Sequence, residues 1–292
     1  MFTIGCDPEI FVRKNNRAES AYGLVPGTKQ EPYKTPFGAV QVDGTALEIN
    51  TDPVPYTDFE AFNRNIVQTM KALKAMVPEF NLSIRSVQDY SQAQMESFPA
   101  EAKDLGCDPD YCAYTLEPNP RPDGNVNFRT GAGHIHVGWG ADIPVDDPDH
   151  LKICAFIVKY FDLTVGTYSV LFEDDPRRRE LYGKAGAFRP KPYGVEYRTP
   201  SNFWLRNKET RREIFELIRG TLEYSRRSYR VPFTAILERA GLGTEEEALF
   251  GAINSGNKLL CRNILRETMI RYLSNAYQPW AQKLLEKLEE IA

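Results

Sequence analysis

Four pairs of residues, each two apart, could do chemistry together: Asp7 and Glu9, Glu48 and Asn50, His134 and His136, Glu196 and Arg198. In an extended strand, residues two apart project from the same face. Apolar or small residues take the other face: Cys6, Pro8 and Ile10, then Leu47 and Ile49, then Ile135 and Val137, then Val195 and Tyr197. A solvated antiparallel sheet gives the same alternation, and that account is sufficient for any one strand. The residue types taken together argue against it. Wet sheet faces are rich in Lys, Thr, Ser and Gln, whereas these offer Asp, Glu, His, Asn and one Arg, and two of the chain's 3 histidines fall in one short stretch. Carboxylates gathered on one face raise each other's pKa unless cations neutralise them. Hard oxygen ligands with imidazole suit Mg²⁺ or Mn²⁺. Metal-bridged phosphates with arginine nearby are what phosphoryl transfer needs.

A basic stretch points the same way. Residues 176–198 place Arg177, Arg178, Arg179, Lys184 and Arg189 shortly before the Glu196/Arg198 strand, and the Gly-Lys-Ala-Gly run within it reads as a loop able to bring backbone close to a ligand. Interleaved Tyr182, Phe188 and Tyr193 would also suit nucleic acid. A net charge of -4 and a pI near 5.6 favour polyphosphate instead. No GxxxxGK[ST] loop, HExxH or GxSxG motif occurs, so a bound nucleotide would lie on a sheet rather than in a P-loop.

The elements that must position these residues are legible in outline. Residues 2–13 and 38–50 read as strands, the second with a bend at Asp43-Gly44. Phe59, Phe62, Ile66, Met70, Leu73 and Val77 recur at helical spacing, with Thr57 as the expected cap and Glu60 three residues on. Residues 80–90 return as a strand, a polar Pro-rich loop follows over 91–130, and 133–139 and 193–200 are strands. Residues 149–172 are apolar but contain Lys159 and Asp162, which predicts a core helix rather than a membrane span. Helical periods follow over 209–227, 245–254, 257–274 and 277–291. Sheet first and helices afterwards make an α+β fold, with 1–205 as the sheet-bearing region and 206–292 as a helical region packed on the same domain.

Several residues are set aside as structural. Asp162 reads first as a satisfied buried carboxylate, and second as a group orienting a sheet ligand or the basic loop. His150 is expected at the surface or at a helix start, Trp204 and Trp280 in the core, and the tail's charges in water. The 5 cysteines are expected as reduced thiols, because Cys107 and Cys112 have no second Cys/His pair nearby to complete a zinc site. The apolar-acidic N-terminus has no secretory pattern, which predicts a cytoplasmic protein.

These motifs, in this order, resemble the phage-type carboxylate–amine ligases of the glutamine synthetase/glutamate–cysteine ligase superfamily. GCDPEIF resembles the superfamily's opening strand, DGTALEIN its next acidic strand, GAGHIHVG its Gly-rich His-x-His strand, and GVEYRTPSNFW its late Glu/Arg strand. The resemblance implies a mostly antiparallel curved sheet and an ADP-forming amidoligase using ATP and two Mg²⁺ ions, or Mn²⁺ in their place. Asp7, Glu9, Glu48, His134 and Glu196 would then hold metal, with Asp43 nearby. His134, His136, Arg178, Arg179, Lys184, Arg189 and Arg198 would hold the nucleotide, and Arg198, Arg189 and Lys184 would act on the phosphoryl group. The first acid is Asp where the better-known enzymes carry Glu, and the chain is much shorter than bacterial glutamine synthetase. Small-molecule or peptide carboxylates and amines are the implied substrates, in a host cytoplasm if the chain is phage-encoded. The rival expectations are a phosphotransferase on the same sheet, a non-catalytic nucleotide-binding relative, and nucleic-acid binding through Arg177 to Lys191, the last marked by steep salt dependence.

Overall fold

The segment over 2–13 is not one strand. Strand β1 (Thr3–Cys6) ends before Asp7-Pro8, and β2 (Glu9–Lys14) joins a different sheet. The crossing is held by hydrogen bonds from Asp7 N to His134 O at 3.4 Å and Glu9 N to Ala132 O at 2.8 Å. Pro8 has no N–H to offer a ladder, which suits it to this corner. Two acids one residue apart therefore end on different sheets. The computed structural model describes residues 1–103, 110–122, 126–228, 233–239, 242–243, 246–273, 275 and 277–291. Cys107, Glu245 and Ser274 lie outside the described residues.

In chain order β3 (Arg17–Glu19), β4 (Tyr33–Thr35), β5 (Gly38–Asp43), β6 (Ala46–Thr51) and β7 (Val54–Pro55) follow. The bend expected at Asp43-Gly44 is a full hairpin turn: Asp43 pairs with Ala46, and Gly44 takes the left-handed φ of 57° that glycine accepts without strain. Helix α1 (Phe59–Met76) buries Phe59, Phe62, Ile66 and Leu73, as their spacing requires, against β5, β6 and a later helix. Its cap is Asp58 rather than Thr57, because the Asp58 carboxylate accepts the Ala61 N–H at 2.9 Å.

The stretch 80–90 holds two short strands, β8 (Asn81–Ser83) and β9 (Val87–Asp89). The polar stretch after it is structured in pieces: α2 (Gln92–Ser97), α3 (Ala100–Lys103), β10 (Tyr111–Cys112) and β11 (Phe128–Thr130). Strand β12 (Ile135–Gly138) carries His136. Helix α4 (Pro148–Phe161) runs through a π-turn (Asp162–Gly166) into α5 (Thr167–Phe172). This continuous helix is long and apolar enough to cross a membrane, but its most apolar window is 83% buried inside the fold. It packs on α6 (Arg178–Leu181)-linked strands β13 (Ala187–Lys191) and β14 (Gly194–Tyr197). Strand β13 falls in the basic stretch, directly after the Gly-Lys-Ala-Gly run, where no strand is expected from sequence.

A 3₁₀ turn (Asn202–Leu205) leads to the helical region: α7 (Lys208–Ser228), α8 (Phe233–Arg239), α9 (Glu246–Asn254), α10 (Lys258–Tyr272) and α11 (Pro279–Glu289). All strand pairings are antiparallel. One sheet has the order β10-β13-β14-β12-β1-β7, the other β3-β2-β6-β5-β4 with β8 also on β2, and β9 pairs with β11. One face of the sheets meets the helices in a continuous apolar core that runs from Ile4 to Leu288. The tail's charges are not all in water, since Glu213 is buried and accepts Lys287 at 2.7 Å. His150 is at a helix start but buried, with Nε2 2.9 Å from the Lys191 carbonyl.

Candidate active site

The other face of the two sheets lines a cavity of about 580 Å³. Two rows of cross-strand neighbours supply its polar floor. In the first sheet Gly5, His136, Glu196 and Arg189 lie side by side on β1, β12, β14 and β13. In the second, Glu9, Glu48 and Gln41 do so on β2, β6 and β5. Directly opposed residues share a face, so alternation within each strand aligns the polar members into one wall.

The first centre forms around Asp7 and Glu196. His134 Nδ1 lies 3.4 Å from Asp7 Oδ1 and 3.5 Å from Glu196 Oε1. His136 Nε2 is 3.0 Å from Asp7 Oδ2, out of line for a hydrogen bond, while its Nδ1 is 2.5 Å from the Tyr193 hydroxyl. Cations surround Glu196: Arg198 pairs with Oε1, and Lys191 and Arg189 approach Oε2 at 2.8 and 3.3 Å. Arg198 also donates from Nε to Asp110 at 3.0 Å. Burial pushes both carboxyls up, but at Asp7 the charges of His136 and His134 outweigh it and hold the group below the usual range. Arg198, His136 and Arg189 do the same at Glu196. His134 is pushed down to about 4 by burial and then by Arg198, and stays neutral. Burial also lowers His136, but Asp7 outweighs it and raises the group.

The second centre has the opposite balance. Glu9 Oε2 accepts the Ala132 N–H at 2.8 Å, and Glu48 Oε1 accepts Gln41 at 2.7 Å and Asn50 at 3.1 Å. Asp43 pairs with Lys29 at 2.7 Å, the one ion pair among the described residues at this centre. Burial, and then Asp43, push Glu9 up to about 7. Burial, followed by Asp7, Asp43 and Glu9, holds Glu48 well above the carboxylate range. Three carboxylates share one lysine, and they resist ionising together.

Ligand-capable atoms of Asp7, His136 and Glu196 lie within 4.8 Å of one another, as do those of Glu9, Asp43 and Glu48. Both donor sets fit a divalent cation. The second is all oxygen, with three acids against one lysine; in the first, Asp7 Oδ1 and His136 Nε2 are buried without hydrogen-bond partners. The His136–Tyr193 contact fixes the imidazole's orientation, as a bond behind a metal-holding imidazole would. The first set draws in His136 at its centre, with His134 flanking it.

Of the residues expected from sequence, Asp7, Glu9, Glu48, His134, His136, Arg189, Glu196 and Arg198 line the cavity together. Three do not reach it. Arg178 is fully buried and donates to the backbone carbonyls of Thr199 and Arg198, and Arg179 pairs with buried Glu173. Lys184 is exposed and away from the cavity wall. The glycine before it serves Arg178: a Cβ on Gly183 would stand 1.5 Å from the Arg178 Nη1. Gly133 is likewise a packing glycine, its missing Cβ only 2.3 Å from the Ser201 carbonyl. Lys191, Tyr193, Asp110, Lys29 and Gln41 join the site unanticipated. Arg189 and Lys191 carry the two-residue spacing of the other pairs, a signal hidden because no strand is expected there from sequence. Asp110 offers no local signal.

Residues 122–255 match the family model described as phage phiEco32-like COOH–NH2 ligase, type 2, the family that the strand motifs resemble. The matched segment carries β11 to β14 with both histidines, Arg189, Glu196 and Arg198, and leaves the acids of β2, β5 and β6 outside it. No curated protein matches the chain.

Proposed function

We propose, from the match to a carboxylate–amine ligase family, that this chain forms amide bonds at the expense of ATP, with two divalent cations in the cavity. The observation that carries the reading is the pairing of one cation-rich and one acid-rich centre on a single wall. A polyphosphate needs positive partners, and a metal-bound polyphosphate also needs carboxylates. Asp7, His136 and Glu196 would hold one ion, with His134 beside it, and Glu9, Asp43 and Glu48 the other. Bound there, Mg²⁺ or Mn²⁺ supplies charge neutralisation for phosphate oxygens.

The chain's own residues do the rest. Arg189, Lys191 and Arg198 crowd Glu196 and are suited to turn toward incoming phosphates, freeing the carboxylate as they do. They would stabilise charge on the transferring phosphoryl group as the substrate carboxylate attacks it, giving an acyl phosphate and ADP. The amine then attacks the acyl carbon, and phosphate leaves. Positioning of two reactants supplies much of such a rate enhancement. A cavity of about 580 Å³ is in the range that takes cofactor-sized molecules. The reaction is placed in the cytoplasm, where ATP is available.

ADP release with Mg²⁺ across a panel of carboxylic acids and amines tests the reading. Release that requires both an acid and an amine supports a ligase. Transfer to a single acceptor would mean a phosphotransferase, and absence of nucleotide binding by calorimetry would overturn the proposal.

A further inference from the structure

Behind the first sheet, on the face away from the cavity, a second polar cluster gathers around Asp162. This residue is fully buried where α4 opens into the π-turn. The Tyr197 hydroxyl donates to its Oδ1 at 2.6 Å and the Tyr114 hydroxyl to its Oδ2 at 2.9 Å. Gly186 packs against the Tyr114 ring, where a Cβ would stand 2.7 Å from Cδ2, and its carbonyl accepts the Ala113 N–H at 2.9 Å. Burial pushes the Asp162 carboxyl up to about 7 even with the two tyrosine hydroxyls pulling it back. A Cβ on Gly166, one turn on, would stand 2.7 Å from the Tyr197 hydroxyl and 3.0 Å from Asp162 Oδ1, so the helix makes room for this pair. π-turns inside helices concentrate at functional sites, where they redirect one side chain.

Each donor belongs to a segment that carries a cavity cation or its partner. Tyr197 lies on β14 between Glu196 and Arg198. Through Gly186, which immediately precedes β13, the Tyr114 segment is also tied to the strand that holds Arg189 and Lys191. Tyr114 follows β10, beside Asp110, the partner of Arg198. Packing alone does not call for a carboxylate here, since burying one is costly unless its hydrogen bonds are met. Convergence of these segments on one acid has a geometric consequence: it sets how far each strand stands from the helix layer.

We infer that Asp162 is a positioning residue, holding β13, β14 and the Asp110 segment at the depth from which Arg189, Lys191 and Arg198 reach the phosphates. It touches no substrate, and the inference rests on the ligase reading only for what those cations bind.

Asp162→Asn and Tyr114→Phe test this in the full chain, with Thr221→Val as control. The control removes a hydroxyl pair buried equally deep in the same helix layer, Thr164 to Thr221 at 2.8 Å, which makes no hydrogen bond to β13 or β14 among the described residues. ADP release per folded molecule is measured over ATP and acid concentrations, alongside hydrogen exchange of residues 110–114 and 186–199. Asp162→Asn is expected to lower kcat roughly tenfold and Tyr114→Phe roughly threefold, with the KM for the acid unchanged and exchange accelerated in both segments. Thr221→Val should lower Tm without either change. A kcat loss no greater than the control's at matched Tm, or unaltered exchange in the two segments, overturns the inference. If Asp162→Asn does not fold, Tyr114→Phe carries the test. Wild-type protein that releases no ADP would sink the ligase reading instead, and the exchange measurement would then decide the positioning role by itself.

Discussion

The two centres of the cavity wall are built from the same side-chain class and sit in opposite electrostatic states. Around Asp7 and Glu196, arginine, lysine and two imidazoles hold the carboxyls ionised below their usual range. Around Glu9, Asp43 and Glu48 there is one lysine, and burial with mutual repulsion holds two of the acids up. The first centre carries several counter-charges of its own, whereas the second sets three acids against one lysine. Acid-to-amide substitutions should therefore change stability in opposite directions at the two centres, while both remove activity.

The largest effect is expected at Glu196. Glu196→Gln should lower ADP release on the order of 10²–10³-fold, as loss of a main electrostatic stabiliser does. It also takes Glu196 from buried Arg198, which keeps Asp110, and leaves half-buried Lys191 without its acid, which costs about 3 kcal/mol and should lower Tm by roughly 5–10 °C. Activity with Tm unchanged from wild type would mean that Glu196 is neither a ligand nor the hub of the cations.

Glu48→Gln inverts the stability change. It removes an acid that burial and its acidic neighbours hold against ionising, yet keeps a group that Gln41 and Asn50 can hold, so the metal-free Tm at about pH 8 should rise by a few degrees. ADP release should still fall about 10²-fold, and added Mg²⁺ should raise Tm less than it does in wild type. A lowered metal-free Tm would remove the contrast between the centres.

The same contrast predicts a pH dependence. An acid whose folded pKa lies above its unfolded value contributes stability that is full below the unfolded pKa and lost as pH rises through the folded one. For Glu9 that window runs from 4.5 to about 7. Relative to Glu9→Gln, which cancels the contributions of Asp162 and His134 in the same range, metal-free wild-type protein should lose on the order of 2–3 kcal/mol between about pH 5 and about pH 8, and saturating Mg²⁺ should cancel most of that difference. Thermal melts in chelator and in Mg²⁺ across that range measure both. A flat metal-free difference would mean that the Glu9 cluster is already compensated.

Much of this wall was legible because alternation is local. Spacing of two placed Glu48 with Asn50 and Glu196 with Arg198, and residue type separated these faces from ordinary wet ones. Spacing of three and four placed Phe59, Phe62 and Ile66 on a helix. What stayed hidden depends on partners far along the chain. Nothing near Pro8 says that β1 and β2 join different sheets, a split fixed by hydrogen bonds to Ala132 and His134. Arg178 and Arg179 look like a phosphate clamp in sequence. Only the packed fold shows one spent on backbone carbonyls and the other on Glu173. Lys191 escaped notice because Pro190 and Pro192 beside it disguise a strand.

Lys184 gives the smallest expected effect and the sharpest limit on the basic segment's role. Its side chain is exposed, and it stands outside the cavity between two glycines with left-handed φ, Gly183 at 76° and Gly186 at 71°. The turn is pinned on both sides: the Lys184 carbonyl accepts Thr199 Oγ1 at 2.9 Å, and the Ala185 N–H donates to Asn254 of α9 at 2.8 Å. A lysine anchored by its backbone and left in water should contribute little to catalysis, so Lys184→Ala should change ADP release by less than about twofold. Asn254→Leu, which removes the α9 anchor, should cost more than Lys184→Ala, because the turn feeds directly into β13 and Arg189. A tenfold loss in Lys184→Ala with Asn254→Leu near wild type would reverse that order. The Gly183–Gly186 turn would then fold over bound nucleotide, and the cation-rich centre would extend beyond the wall described here.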